Sequence, residues 1–134
     1  MSKAPFNNED NELTTILVVS DMSKSKEFYI DKLDAELFRA YGGDSTVLKF
    51  LSQWILLVTS GEPTADKPEV HFKPPAQPYS VAHSFTIRVK DCKATYEILK
   101  DRGVEFITPP YDWGQEIRCF FRDPDGHLFE ISEV

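Results

Sequence analysis

Three features of this 134-residue sequence predict an α+β domain built from two βαβββ modules. A strand, an aspartate and an amphipathic helix occur in that order twice, at a fixed offset along the chain. Each helix is followed by three short β-prone stretches. A proline-rich segment separates the two halves.

The first strand is LTTILVV, residues 13–19, whose β-branched and apolar side chains suit a pleated, half-buried surface. Ser20 and Asp21 follow, and Asp21 can accept backbone N–H bonds as the cap of a helix. In that helix Ser25, Phe28, Tyr29 and Leu33 recur at helical spacing and define a buried stripe. Residues 36–40, 46–51 and 53–59 read as strands, which closes a first module over 13–59. Residues 60–81 contain five prolines, which cannot donate to a β-ladder, so this stretch reads as a surface linker.

The second module spans 82–134 and opens on HSFTIRVKDCKATYEILKDRG. The offset that carries Asp21 to Asp91 also carries Val19 to Val89. It carries Ser25, Phe28 and Tyr29 to Thr95, Ile98 and Leu99, and self-similarity of this kind marks repeated architecture. Strands are expected at 105–108, 116–122 and 128–132. A unit below about 60 residues buries too little surface to stand alone, so the two should pack as one domain over 13–134. A shared cleft between them is the expected place for a ligand. Residues 1–12, MSKAPFNNEDNE, are polar and read as a disordered leader.

An apolar content of 41% supplies a packed core, and 15 basic against 22 acidic residues leave a net charge of −7. That field repels nucleic acid and anionic membranes, so neither is expected as a partner. The leader has no apolar h-region, and no later stretch approaches the roughly 20 apolar residues that span a bilayer, so a cytoplasmic location is expected. Cys92 and Cys119 are far apart and outside any CxxC motif, and read as partly buried, reduced thiols. No Ser/His/Asp constellation, phosphate loop or dinucleotide fingerprint supports hydrolase or nucleotide-cofactor chemistry.

Two stretches carry a family resemblance. VVSDMSKSKEFYIDKLDAELF is similar to the first strand and helix, and WGQEIRCFFRDPDGHLFEI to the closing hairpin, of the vicinal oxygen chelate superfamily. That superfamily includes glyoxalase I, extradiol dioxygenases, and the fosfomycin and bleomycin resistance proteins. The resemblance covers residues 13–134 and implies mixed sheets curving around a shared cleft, a homodimer, and a small-molecule ligand. In metal-dependent members it also implies four ligand positions, which correspond here to Thr14, Leu56, Ser84 and Glu130. Only Glu130 is a usual ligand type. The family places Gly after the last Leu of the first helix, where this chain has Asp34; Gly103 holds the equivalent place in the second half. That position wants a left-handed backbone, which Gly supplies freely and Asp tolerates at some cost.

The resemblance combined with strand alternation predicts a ligand-binding wall. Thr14, Trp54, Leu56, Ser84, Arg88 and Glu130 lie in phase with the ligand positions, and Trp113, Arg118 and Phe120 join them around the penultimate strand. Ile16, Val18, Val58, Thr86, Leu128 and Ser132 share that phase. A mostly apolar wall with a few polar groups suits a small organic molecule. Glu130 is the candidate catalytic residue, as a general base if it is desolvated with no cation beside it. Paired with Arg88, it would instead be a buried bridge in the filled core of a scaffold protein.

The leading expectation is thus a binder without metal or other cofactor, in a sequestration or resistance role. The alternative is a lyase or dioxygenase using a divalent metal such as Zn, Ni, Mn or Fe, held by a relocated set containing His83 and Glu130. His83 lies one residue out of phase, and a one-residue shift in a strand turns a side chain to the other face. His71 reads as a solvated linker residue and His127 as a turn-edge residue. The net charge would draw cationic ligands inward, whereas the two arginines favour an anionic or carbonyl-rich one.

Overall fold

Two four-stranded mixed sheets, each with one helix, make up the chain. The computed structural model describes residues 4, 6 and 9–134; residues 1–3, 5, 7 and 8 of the expected disordered leader lie outside the described residues. The first module comprises β1 (Thr14–Val19), α1 (Met22–Lys26, continued as a π-helical turn over Glu27–Lys32), β2 (Glu36–Tyr41), β3 (Ser45–Phe50) and β4 (Gln53–Thr59). The second comprises β5 (Phe85–Arg88), α2 (Cys92–Asp101), β6 (Tyr111–Asp112), β7 (Ile117–Arg122) and β8 (Leu128–Glu133). The sheet orders are β1-β4-β3-β2 and β5-β8-β7-β6, with the first pair of each parallel and the others antiparallel. The sequence repeat is therefore a repeat of topology.

Both helices start as their caps require: Asp21 accepts from the Lys24 N–H and Asp91 from the Ala94 N–H. The π turn ends with the Leu33 N–H donating to the Phe28 carbonyl at 3.2 Å, and Ser25, Phe28, Tyr29 and Leu33 are all buried. Asp34 adopts a φ of 63° and Gly103 one of 91°, the left-handed backbone expected at both helix ends. Asp34 has a compensating partner, since Arg102 Nη1 lies 2.9 Å from its Oδ2.

Two expectations require correction. Residues 105–108 form no ladder strand: Phe106 makes an isolated bridge to Phe121, and the outer strand is the short β6. Pro109 and Pro110 account for the break, because neither carries an N–H and each restricts the residue before it. Ile98 is not on the buried stripe but 54% exposed. The stripe runs through Cys92, Tyr96 and Leu99, because Tyr96 packs edge-on against Phe106 with ring centroids 4.8 Å apart.

One core serves both modules. Leu17, Val19, Leu48 and Leu57 bury the inner face of the first sheet, and Cys119, Phe121, Phe129 and Ile131 that of the second. α1 bridges them, with Phe28 6.3 Å from Phe121 and Tyr29 6.0 Å from Phe129, centroid to centroid. Cys92 and Cys119 are free, and fully rather than partly buried, and the fold brings them together: the Cys119 thiol donates to Cys92 Sγ, the Cys92 thiol donates to the Ile131 carbonyl at 3.7 Å, and burial pushes Cys119 up to about 12.

The DPDG turn, closed by Gly126 at φ 94°, locks this arrangement. Tyr29 Oη donates to Asp123 Oδ2 at 2.6 Å, while Asp123 Oδ1 accepts from the Asp125 and His127 N–H groups at 2.9 Å. Asp125 Oδ1 accepts from the Ser20 N–H at 2.9 Å, and His127 Nε2 donates to the Val18 carbonyl at 2.9 Å. His127 is thus 8% exposed and structural, because a carbonyl one module away has captured its ring.

Tyr29→Phe should leave a buried carboxylate oxygen of Asp123 without its donor and lower the unfolding free energy by about 1–3 kcal/mol in a urea titration followed by tryptophan fluorescence. Burial raises the Asp123 carboxyl above its ordinary value, so its contribution is full below about pH 4 and is lost as pH rises through the raised value. The stability gap between wild type and Asp123→Asn should therefore narrow as pH rises across that window. A gap that widens would reverse the assigned sign.

Candidate functional site

Strand register sets two rows on the open face of the second sheet. Thr86, Glu130 and Phe120 form one row; Arg88, Ser132 and Arg118 form the next, with Tyr111 at its outer end. Phe129, Ile131, Cys119 and Phe121 alternate with them and turn inward to the core.

Glu130 is 7% exposed, accepts from Thr86 Oγ1 at 2.9 Å and lies 3.7 Å from Arg118 Nη1. Its cation is Arg118 and not Arg88, which belongs to the neighbouring row. Arg88 donates to Ser132 Oγ at 2.8 Å and reaches Glu116 at 3.9 Å. Ser132 Oγ donates in turn to Glu116, which stands 3.5 Å from Arg118. The Arg118 guanidinium lies 5.6 Å from the centroids of both Trp113 and Phe120. Two arginines and two carboxylates thus neutralise one another beside an aromatic pair. With a cation at Glu130, the condition set for a desolvated general base is not met.

Glu116 is the residue that sequence reasoning missed, although alternation from Arg118 and Phe120 puts position 116 in phase. In the first module Thr14 pairs with Trp54, and Ile16 with Leu56. Thr14 is exposed, while Trp54 and Leu56 are half-buried; Trp54 meets Phe38 edge-on at 5.0 Å and the Lys49 ammonium at 5.3 Å. Ser84 is exposed just before β5. Among the described residues no hydrogen bond, ion pair or ring contact joins Thr14, Trp54 or Leu56 to the Glu130 group. A cavity of about 160 Å³ does bring Trp54 and Thr86 to one wall, with Phe85 and Phe129. A larger cavity of about 380 Å³ lies where Ile16, Val18, Phe85 and Leu128 meet beneath the linker.

His83 lines that larger cavity, edge-on to Phe85 with centroids 6.0 Å apart. Phe85 stacks on Phe129 at 4.8 Å, on the side of the sheet away from Glu130. The structure therefore does not bring His83 and Glu130 together. His71 Nδ1 lies 3.1 Å from Glu62 within the linker.

The four positions that the family resemblance assigns to a divalent metal supply one carboxylate, two hydroxyls and the alkyl chain of Leu56. The carboxylate is already engaged by Thr86 and Arg118. Among the described residues no group of three or more His, Cys, Asp or Glu side chains converges. A donor set of this kind does not fit a transition metal such as Zn, Ni, Mn or Fe, whose sites draw on several nitrogen, sulfur or anionic oxygen ligands.

The sequence and the fold match known proteins. The model of the Glyoxalase/Bleomycin resistance protein/Dioxygenase superfamily matches residues 13–131. The chain belongs to this superfamily. It is 31% identical over 115 residues to the metallothiol transferase FosB of Staphylococcus saprophyticus, covering 84% of this chain and 70% of that protein. A glyoxalase/bleomycin resistance protein/dioxygenase from Nocardioides superposes with a TM-score of 0.71 at 22% identity, over 99% of this chain and 85% of the other. The fosfomycin resistance protein FosX of Listeria monocytogenes gives 0.66 at 19% identity, over 92% and 93%. Among the described residues of this superfamily member no helix is long and apolar enough to cross a membrane.

Arg118→Met should leave Glu130 buried without its cation, at a cost of about 1–3 kcal/mol by urea unfolding. Arg88→Met, whose side chain is half-exposed and whose ion pair is longer, should cost less than about 1 kcal/mol. Equal losses would show that Arg88 shares the role assigned to Arg118.

Proposed function

We propose that this superfamily member binds a small organic molecule across the open faces of its modules, without a divalent metal, in a sequestration or resistance role. The observation that carries this reading is the engagement of Glu130. The one ligand-type side chain among the four positions is already held by Thr86 and Arg118. Trp113, Phe120 and Arg118 offer stacking and hydrogen-bonding groups on one sheet, and Thr14, Trp54 and Leu56 a mostly apolar surface on the other. A face with such groups and no activated nucleophile suits holding a molecule rather than transforming it.

A homodimer in the cytoplasm completes the proposal. Leu37, Phe38 and Tyr41 on β2 are each more than half exposed, which gives an apolar surface for a second copy. A reducing compartment suits the free Cys92 and Cys119.

Protein purified without chelator should carry far less than one divalent ion per chain by elemental analysis, and should sediment as a dimer. In a small-molecule screen read by tryptophan quenching, Trp113→Ala should weaken any hit by about two- to tenfold through lost stacking. A stoichiometric ion that disappears in Glu130→Gln would instead establish a metal-dependent lyase or dioxygenase with a relocated ligand set.

A further inference from the structure

The 380 Å³ cavity beneath the linker has a composition unlike the chain around it. Acidic residues outnumber basic ones 22 to 15 overall, yet no carboxylate lines this cavity, whereas Lys73, His83 and His127 do. Ile16, Val18, Phe85 and Leu128 supply its apolar floor. His127 is spoken for, since its Nε2 proton goes to the Val18 carbonyl. Lys73 is exposed and makes no ion pair or hydrogen bond among the described residues. His83 makes a ring contact with Phe85 and leaves its imidazole nitrogens unused among the described residues.

We propose that this cavity is a second binding site, which takes a small anionic amphiphile: an aromatic or branched apolar body carrying one carboxylate or sulfonate. The body would lie against Phe85 and Leu128, the acid group would pair with Lys73, and His83 would donate a hydrogen bond to it. The volume falls within the range of small-molecule pockets, which runs from about 300 Å³ upward. A pocket free of carboxylates spares an anion the local repulsion that the net charge of −7 imposes elsewhere. Trp113, Arg118, Phe120 and Glu130 do not line it, so its centre lies away from the Glu130 group, although Ile16, Val18 and Leu128 belong to the same wall.

Fluorescence titration of the intact protein with anilinonaphthalene sulfonate, beside its uncharged counterpart phenylnaphthylamine, tests the assignment. The sulfonate should bind more tightly than the neutral probe. Lys73→Met should weaken it about two- to fivefold, as loss of an exposed ion pair does, and Lys73→Glu should weaken it further. Ala82→Trp, an exposed position at the cavity wall just after the linker, should fill the space and abolish binding. Arg118→Met, although it costs stability, should leave the affinity of the sulfonate for this cavity unchanged in the folded protein. Equal binding of the neutral probe, indifference to both Lys73 changes, or survival of binding in Ala82→Trp would overturn the proposal. Loss of binding in Arg118→Met would overturn it too, by moving the anion to the face of Glu130.

Discussion

The 2.6 Å hydrogen bond from Tyr29 to Asp123 lies where the two modules meet, and the rest of the molecule is organised around it. Neither module is large enough to bury a sufficient core, so the fold depends on how the halves are joined. The join is polar at its centre and apolar around it. Asp123 collects the phenol of Tyr29 and two N–H groups of its own turn, while Asp125 and His127 reach the Ser20 N–H and the Val18 carbonyl. Burying such groups is tolerable because each finds a partner, and the partners exist only in one relative placement of the modules. Phe28, Tyr29, Phe121 and Phe129 pack around that placement.

This constraint also decides which side chains are left for function. The inner faces of both sheets and His127 are committed to the join, which leaves the outward alternates of the strands and the cavity beneath the linker for ligands. On the second sheet those are Thr86, Arg88, Arg118, Phe120, Glu130 and Ser132, joined by Glu116 from the approach to β7. Their charges cancel and their hydrogen bonds are largely made. A ligand arriving there must complement a network already satisfied, which favours a stacking, weakly polar molecule over a strongly charged one.

Much of this was legible in the sequence, for identifiable reasons. The strand–Asp–helix repeat announced two modules because capping and periodicity are local. Asp34 announced a left-handed helix end because it follows the first helix as Gly103 follows the second, 69 residues on rather than the 70 of the strand–cap repeat. Period-two alternation put Arg88, Arg118, Phe120 and Glu130 on one face. What alternation could not supply was pairing across strands. Glu130 shares a row with Thr86 and Phe120, so Arg118 reaches it diagonally while Arg88 lies a row away, facing Ser132. The contact of Cys92 with Cys119, the capture of His127 by Val18 and the failure of 105–108 as a strand likewise depend on neighbours distant in sequence.

The same separation explains how such a fold can persist without the donors of a metal cage. The residues that hold the modules together, Tyr29, Asp123, Asp125, His127 and the inward aromatics, alternate with or lie outside the four ligand positions. Thr14, Leu56 and Ser84 contribute nothing to that join, so exchanging donors for a hydroxyl or an alkyl chain there leaves the scaffold intact. Glu130 differs, being 7% exposed and tied to Thr86 and Arg118. A buried carboxylate cannot remain without compensation when a metal is not its partner, and a guanidinium with a neighbouring hydroxyl meets that need. Arg118 is in this sense the physical counterpart of the missing donors: it balances the charge of Glu130 from within the chain and gives the open face its aromatic-flanked cation.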